Sequence, residues 1–214
     1  MLKVWGRASS SNVQALMWCI GELSLPYERI DAGYVYGVVD TPEYLSMNPN
    51  GTVPTLQDGN NSPLWESGAI MRYLAAAYGS EGFWPTQAVA RAEIDKWAEW
   101  SKLNIALKFT APVFWRVVRT PPSKRDPQAV NAALKVLDKF FDIADVQLSK
   151  FPYLAGENFT LADIQFGHCL FRYFDIDIER SEHGYVRAYY DALTERAVFR
   201  QHVMLSYEEL RETD

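Results

Sequence analysis

Strand-forming segments crowd into the first third of this chain and then stop, and that asymmetry limits the folds open to it. Residues 3–5 read as a strand, and Val13, Leu16, Met17, Ile20 and Leu23 follow at helical spacing. Pro26 ends that helix, so residues 27–30 read as a second strand. Gly33 to Gly37 is loop-like, and Thr41-Pro42-Glu43 starts a short helix with Pro in its first turn. Residues 53–56 and 62–65 read as strands joined by a turn at Asp58-Gly59-Asn60-Asn61. Ala69, Ile70, Tyr73, Leu74 and Ala77 then mark an amphipathic helix stopped by Gly79. The order β-α-β-α-β-β-α predicts an α/β unit with a small mixed sheet.

Beyond Gly79 only helical periodicity remains. Ser80, Gly82, Pro85 and Thr86 read as a linker over residues 80–87, with Phe83 and Trp84 able to pin it between two domains. Residues 88–119 form one long helical stretch, bent at Pro112, where a backbone donor is missing. Thr120-Pro121-Pro122-Ser123 breaks it, and Val130, Ala133, Leu134, Leu137, Phe140, Phe141, Ala144 and Leu148 mark the next helix. Further helices are expected over 161–174, over 184–194 and near Phe199, with a frayed acidic tail over 208–214. A chain of 214 residues suits two modest domains sharing an interface, residues 1–79 and an all-helical 88–214.

Charge and cysteine usage narrow the partners. A formal net charge of −6, with Arg-containing stretches diluted by Asp and Glu, argues against a nucleic-acid surface. Cys19 and Cys169 are far apart and sit among apolar neighbours, so no zinc site or dithiol motif is expected and both read as buried small hydrophobes. His168, His183 and His202 have no metal-like spacing either. The chain enters a strand at once, with no signal peptide and no apolar run near the ~20 residues a bilayer requires, so a cytoplasmic setting is expected.

Three strand-end motifs carry chemistry. Arg7-Ala8-Ser9-Ser10-Ser11-Asn12-Val13 sets hydroxyls at a helix N-terminus, where unpaired N–H groups and the dipole favour a thiolate. Alone it reads as an ordinary N-cap. Asn48-Pro49-Asn50-Gly51-Thr52-Val53-Pro54 puts Pro at the entrance to a strand, and a cis Val53–Pro54 bond would leave Val53 able to pair with a peptide as an added strand. A trans Pro at a strand edge is the plain alternative. Trp65-Glu66-Ser67-Gly68 is another strand-to-helix junction, suiting a carboxylate at Ser67 and an ammonium at Glu66. It too could be no more than a cap. Together the motifs fit a cysteine-containing peptide with a free α-amino-acid terminus, and glutathione is such a molecule. With Lys3, Arg7, Arg29 and Arg72 the only bases in residues 1–79, most anion binding is expected from helix ends.

On these motifs the chain resembles the cytosolic glutathione transferases over essentially its whole length, in particular Ser-type bacterial members related to the theta, zeta and nu classes. The resemblance implies a thioredoxin-like N-terminal domain that holds glutathione and a helical-bundle domain that holds the second substrate. It puts the thiol-activating serine on Ser10, with Ser9 and Ser11 as rivals, and makes Asn12 a second candidate donor. The cis-Pro motif falls on Val53-Pro54 and the Glu-Ser pair on Glu66-Ser67, while Thr52 stands where many relatives have Lys or Gln. Phe109, Val113 and Trp115 are candidates for the second-substrate pocket. The expected activity is attack of glutathione's thiolate on a small electrophile, in a homodimer with a detoxification role. Glutathione-dependent disulfide reduction or isomerisation, or a non-catalytic binding role, are the alternatives. Asn158-Phe159-Thr160-Leu161-Ala162-Asp163-Ile164 matches a further family feature and reads as a capping box, Asp163 replacing the usual Glu, with a Phe159–Ile164 staple.

Overall fold

Four short strands form one sheet in a computed structural model that describes residues 1–214: β1 Leu2–Trp5, β2 Tyr27–Ile30, β3 Thr55–Asp58 and β4 Leu64–Trp65. Their order is β2-β1-β3-β4. β1 runs parallel to β2, with Leu2 opposite Tyr27, and antiparallel to β3, with Leu2 opposite Asp58. The parallel pair needs a crossover, which α1, Ser11–Glu22, supplies. The short α2, Pro42–Met47, is capped by Thr41, whose hydroxyl accepts from the Tyr44 N–H, and α3 spans Ser67–Tyr78. β3 starts two residues later than the sequence pattern predicts, because Pro54 has no N–H for the ladder.

The rest of the chain is helical. α4, Ala88–Ser101, continues through a π-helical turn at Lys102–Ala106, then α5, Leu107–Phe109, a second π-helical turn at Thr110–Trp115, and α6, Arg116–Val118. Pro112, predicted to bend this stretch, lies in the second of those turns, where the missing donor costs least in regular bonding. α7 is Pro127–Leu148, with Pro127 at its first turn and Asp126 as its cap. The stretch predicted over 161–174 is two helices, α8 Leu161–Gly167 and α9 Leu170–Asp175, separated by a turn at His168-Cys169. α10, Gly184–Thr194, and α11, Ala197–His202, complete the bundle.

α1 is the element around which both halves pack. Every residue from Val13 to Ile20 is buried, Gln14 and Trp18 included, because α3 packs on it with α8 and α11 from the helical half. Trp18 meets Phe199 edge-on at 4.8 Å and Phe159 at 5.6 Å between ring centroids. Gly167 makes this approach possible: a Cβ there would lie 2.9 Å from the Trp18 ring and 2.7 Å from Leu193. Phe83 and Trp84 are buried in the same core. Ion pairs Arg196–Glu22 at 2.6 Å and Arg72–Asp95 at 2.7 Å join the halves around it.

The end of the chain is not frayed. Leu210 is buried, the Glu212 N–H donates to the Val118 carbonyl at 2.9 Å, and Tyr207 lies edge-on to Phe114 at 5.2 Å. The acidic composition of the tail hid two apolar anchors, Tyr207 and Leu210, on either side of Glu208 and Glu209.

Candidate active site

Between the sheet edge and the helical half lies a cleft of about 350 Å³. Ser9, Ser10, Ser11 and Asn12 line it from the start of α1, Thr52 and Val53 from the loop before β3, and Tyr34 from the loop after β2. Thr110, Trp115 and Arg119 close it from the long helix, with Arg172 of α9 and Leu210 of the tail. A larger depression of about 510 Å³ near Phe174 and His183 touches none of the motif residues. Its arginines are engaged, Arg180 by backbone carbonyls and Arg187 by Asp191.

The three serines differ in what they already hold. Ser10 is the N-cap residue of α1, yet its side chain makes no capping bond and no other hydrogen bond within the chain. Ser9 donates its hydroxyl to the carboxylate of Glu209, and its carbonyl accepts from Arg172 at 2.6 Å. Ser11, in the first turn, is half-buried and unpaired. A hydroxyl spent on Glu209 is not available to a thiolate, which separates Ser9 from Ser10 and Ser11.

The Val53–Pro54 peptide bond is cis. Pro54 is buried, and the carbonyl of Thr52 is held by the Tyr44 hydroxyl at 2.6 Å and by Asn48 Nδ2 at 2.9 Å. Val53 itself donates and accepts no backbone hydrogen bond, so both its polar groups are open. Glu66 is exposed and held at φ 68°, an uncommon conformation for a residue with a side chain. Ser67 follows it, buried at the start of α3, with Oγ 3.4 Å from Asn12 Oδ1. Two motifs separated by 55 positions thus meet.

Lys102, which no sequence signal marked, completes that meeting. Its Nζ donates to Asn12 Oδ1 at 3.0 Å and to Ser67 Oγ at 3.1 Å. Burial lowers its pKa, with Glu66 among the charges that oppose the shift. Lys102 comes from the first π-helical turn of the helical half, so the site is built across both halves.

Of the suggested second-substrate residues, the structure brings only Trp115 to the cleft, where it is 46% exposed. Phe109 and Val113 are buried, 2% and 0% exposed, and pack into the core, Phe109 against Phe114 and Tyr173. The π-helical turn rotates the helix so that Thr110, Trp115 and Arg119 present themselves instead. Cationic side chains were also missed. Arg119 and Arg172 line the cleft beside Arg7, so positive charge comes from the helical half and not only from helix ends.

Neither cysteine nor any histidine lines the cleft. Burial pushes the Cys169 thiol up to about 12 and raises Cys19 further. His168 is buried against the Ile164 carbonyl at 3.1 Å, and burial pushes it down to about 3, so it is neutral.

Hydroxyls at a helix N-terminus, an open backbone beside a cis proline and a Glu-Ser corner thus lie between a mixed sheet and a helical bundle, an arrangement that suits a thiol-bearing peptide. Family models give the class: "Glutathione S-transferase, N-terminal domain" matches residues 1–76 and "Glutathione S-transferase, C-terminal domain" matches residues 127–192. The chain is 36% identical to glutathione S-transferase GstB of Escherichia coli K12, over 96% of this chain and 99% of the relative. It is 34% identical to glutathione S-transferase 3 of Zea mays, over 76% of this chain and 73% of the relative. A theta-class glutathione S-transferase from Xanthomonas axonopodis pv. citri, solved with glutathione bound, superposes with a TM-score of 0.89 at 40% identity. That match covers 96% of this chain and 98% of the other. The chain belongs to the glutathione S-transferase family.

Proposed function

We propose that this chain is a glutathione transferase whose Ser10 hydroxyl donates to the sulfur of bound glutathione. The observation that carries this reading is that the Ser10 hydroxyl, at the N-terminus of α1, and the open N–H and C=O of Val53 line one cleft with no partner of their own. A cysteinyl residue pairing with Val53 as an added strand brings its side chain to that helix end. There the hydroxyl and dipole favour the thiolate, which attacks an electrophile held by Trp115 and the helical half. Glu66 takes the head-group ammonium, Ser67 and Asn12 with Lys102 take its carboxylate, and Thr52 and Pro54 shape the clamp.

Relatives named for this activity support the reading, as does the glutathione in the Xanthomonas structure. Val89, Leu103 and Leu107, exposed along the helix of the second half, support a homodimer. Two unpaired buried cysteines support a reducing cytoplasmic setting, and removal of small electrophiles there amounts to detoxification. We keep the division into a glutathione domain, residues 1–79, a linker, 80–87, and a second-substrate domain, 88–214, as part of this reading.

Conjugation of 1-chloro-2,4-dinitrobenzene, measured beside disulfide and peroxide reduction, tests the reaction type. Retention on immobilised glutathione without turnover of any substrate class would leave a binding protein. Ser67→Ala and Glu66→Gln are each expected to weaken glutathione binding about tenfold to a hundredfold, the worth of a charge-assisted hydrogen bond. Calorimetric titration beside a melting curve decides the role of Ser67. A lowered melting temperature with unchanged affinity makes Ser67 a helix cap and no more.

A further inference from the structure

Arginines in this chain are almost all occupied. Arg29, Arg72, Arg187, Arg196 and Arg211 hold carboxylates. Arg91, Arg116, Arg125, Arg172, Arg180 and Arg200 donate to backbone carbonyls. Arg7 and Arg119 alone donate no hydrogen bond and form no ion pair, and both line the cleft. Tyr34 lies between them, its ring centroid 5.5 Å from the Arg7 guanidinium carbon and 5.3 Å from that of Arg119. Arg119 also lies 4.9 Å from the centroid of the Trp115 ring. Behind them Arg172 is 3% exposed, faces no carboxylate, and its Nε has no partner. The Nε of Arg7 is likewise buried and unpartnered.

Like charges are not gathered in a half-buried cleft without cost. Burial and the neighbouring Arg119 both lower the pKa of Arg7, and only Glu209, Tyr34 and Tyr36 oppose them. The one carboxylate that acts on Arg7, Glu209, is exposed, rides on the tail and is held by Ser9. Two fork-shaped donor sets with no acceptor, beside an aromatic wall, match a planar carboxylate joined to an apolar or aromatic body.

Resting on the transferase reading above, we infer that the second substrate is a carboxylate-bearing electrophile, its carboxylate held by Arg7 and Arg119 and its body against Tyr34 and Trp115. With an aryl chloride the sulfur–carbon bond forms as the carbon–chlorine bond breaks. Chloride leaves with the bonding pair, and the thiol proton passes to solvent. Arg7 and Arg119 take no part in bond making. They set specificity by holding the end of the substrate that does not react.

Two pairs of compounds that differ only in charge test this. The protein saturated with S-methylglutathione is titrated calorimetrically with 3,5-dinitrobenzoate and with 3,5-dinitrobenzamide, while 4-chloro-3,5-dinitrobenzoate and its amide are compared as substrates. The benzoate is expected to bind at least about tenfold more tightly than the amide, with the difference shrinking at higher salt. The preference should vanish in Arg119→Gln and grow in Glu209→Gln, which removes the competing carboxylate. Equal affinities in the saturated protein overturn the inference, because arginines already serving glutathione itself leave no preference behind. Turnover of the amide alongside equal affinities sinks the inference and spares the transferase reading. If neither chloride is turned over although S-methylglutathione binds, the transferase reading fails and the titration still decides the anion site.

Discussion

Ser10→Ala is expected to lower turnover about tenfold to a hundredfold while glutathione affinity changes much less. A hydrogen bond to a charged acceptor is worth about 1.5–3 kcal/mol, which sets that range. In the proposed arrangement the Ser10 hydroxyl acts on sulfur, whereas affinity arises at the ends of the peptide, at Val53 and at the Glu66-Ser67 corner. Losing the donor leaves the thiol pKa nearer its free value of about 8.5, so the pH at which activity appears should rise. Ser9→Ala is the informative control, since the Ser9 hydroxyl already serves Glu209. It should disturb the tail and leave the acidic limb of the pH–rate profile where it was. An unchanged profile in Ser10→Ala moves the role to Ser11 or Asn12.

Asp163→Ala is expected to be the most destabilising single change outside the apolar core. The carboxylate is buried and accepts from the Leu154 N–H at 2.9 Å, the Thr160 N–H at 2.8 Å and the Tyr189 hydroxyl at 2.9 Å. Removing it deprives these three buried donors of their acceptor, and the Thr160 hydroxyl at 3.2 Å as a fourth, at about 1–3 kcal/mol each. About 3 kcal/mol or more corresponds to a melting temperature roughly 6–12 °C lower in a chain of this size. Thr160→Ala, which removes only the capping hydroxyl, should cost about 1 kcal/mol. A loss in Asp163→Ala no larger than in Thr160→Ala would refute the network's importance.

The pH dependence of this loss follows from the same burial. In the folded chain the Asp163 carboxyl is pushed up to about 6 by desolvation, against an ordinary 3.8. Between those values the folded state keeps a proton that the unfolded state has released. The stability this contributes is complete below 3.8 and is lost as pH rises through about 6. The gap between wild type and Asp163→Ala should therefore be wider at pH 5 than at pH 7, as urea titrations at the two values can show.

Local chemistry made much of this legible. Pro26, Gly79 and the Thr41-Pro42 start set element ends that any solvent-facing chain must obey, and the β-α-β-α-β-β-α order follows from them. The Thr160–Asp163 box is read from a spacing of three, and both of its bonds form in the structure. Features that depend on distant partners stayed hidden. The apolar positions of α1 suggest one buried face, yet its whole circumference is buried, because the second half of the chain covers the face that the sheet leaves. Phe109 and Val113 are buried in the core instead of the cleft because later helices cover that side of the chain, Phe109 packing on Tyr173. Lys102, Arg119 and Arg172 reach the site from far along the chain, and no spacing rule connects Arg172 with Ser9, 163 positions away. Glu209 was invisible for the same reason, its acidic neighbours reading as solvated tail.

On the proposed reading this cleft lowers the pKa of glutathione's thiol through a donor at the N-terminus of α1. The direct measurement is the ultraviolet absorbance of the thiolate in the protein–glutathione complex, titrated with pH in wild type and in Ser10→Ala. Wild type should show a bound thiol ionising well below about 8.5, towards neutrality, with the midpoint returning upward in the variant. A bound thiol that ionises at its free value in wild type, or equally low in both proteins, contradicts the claim.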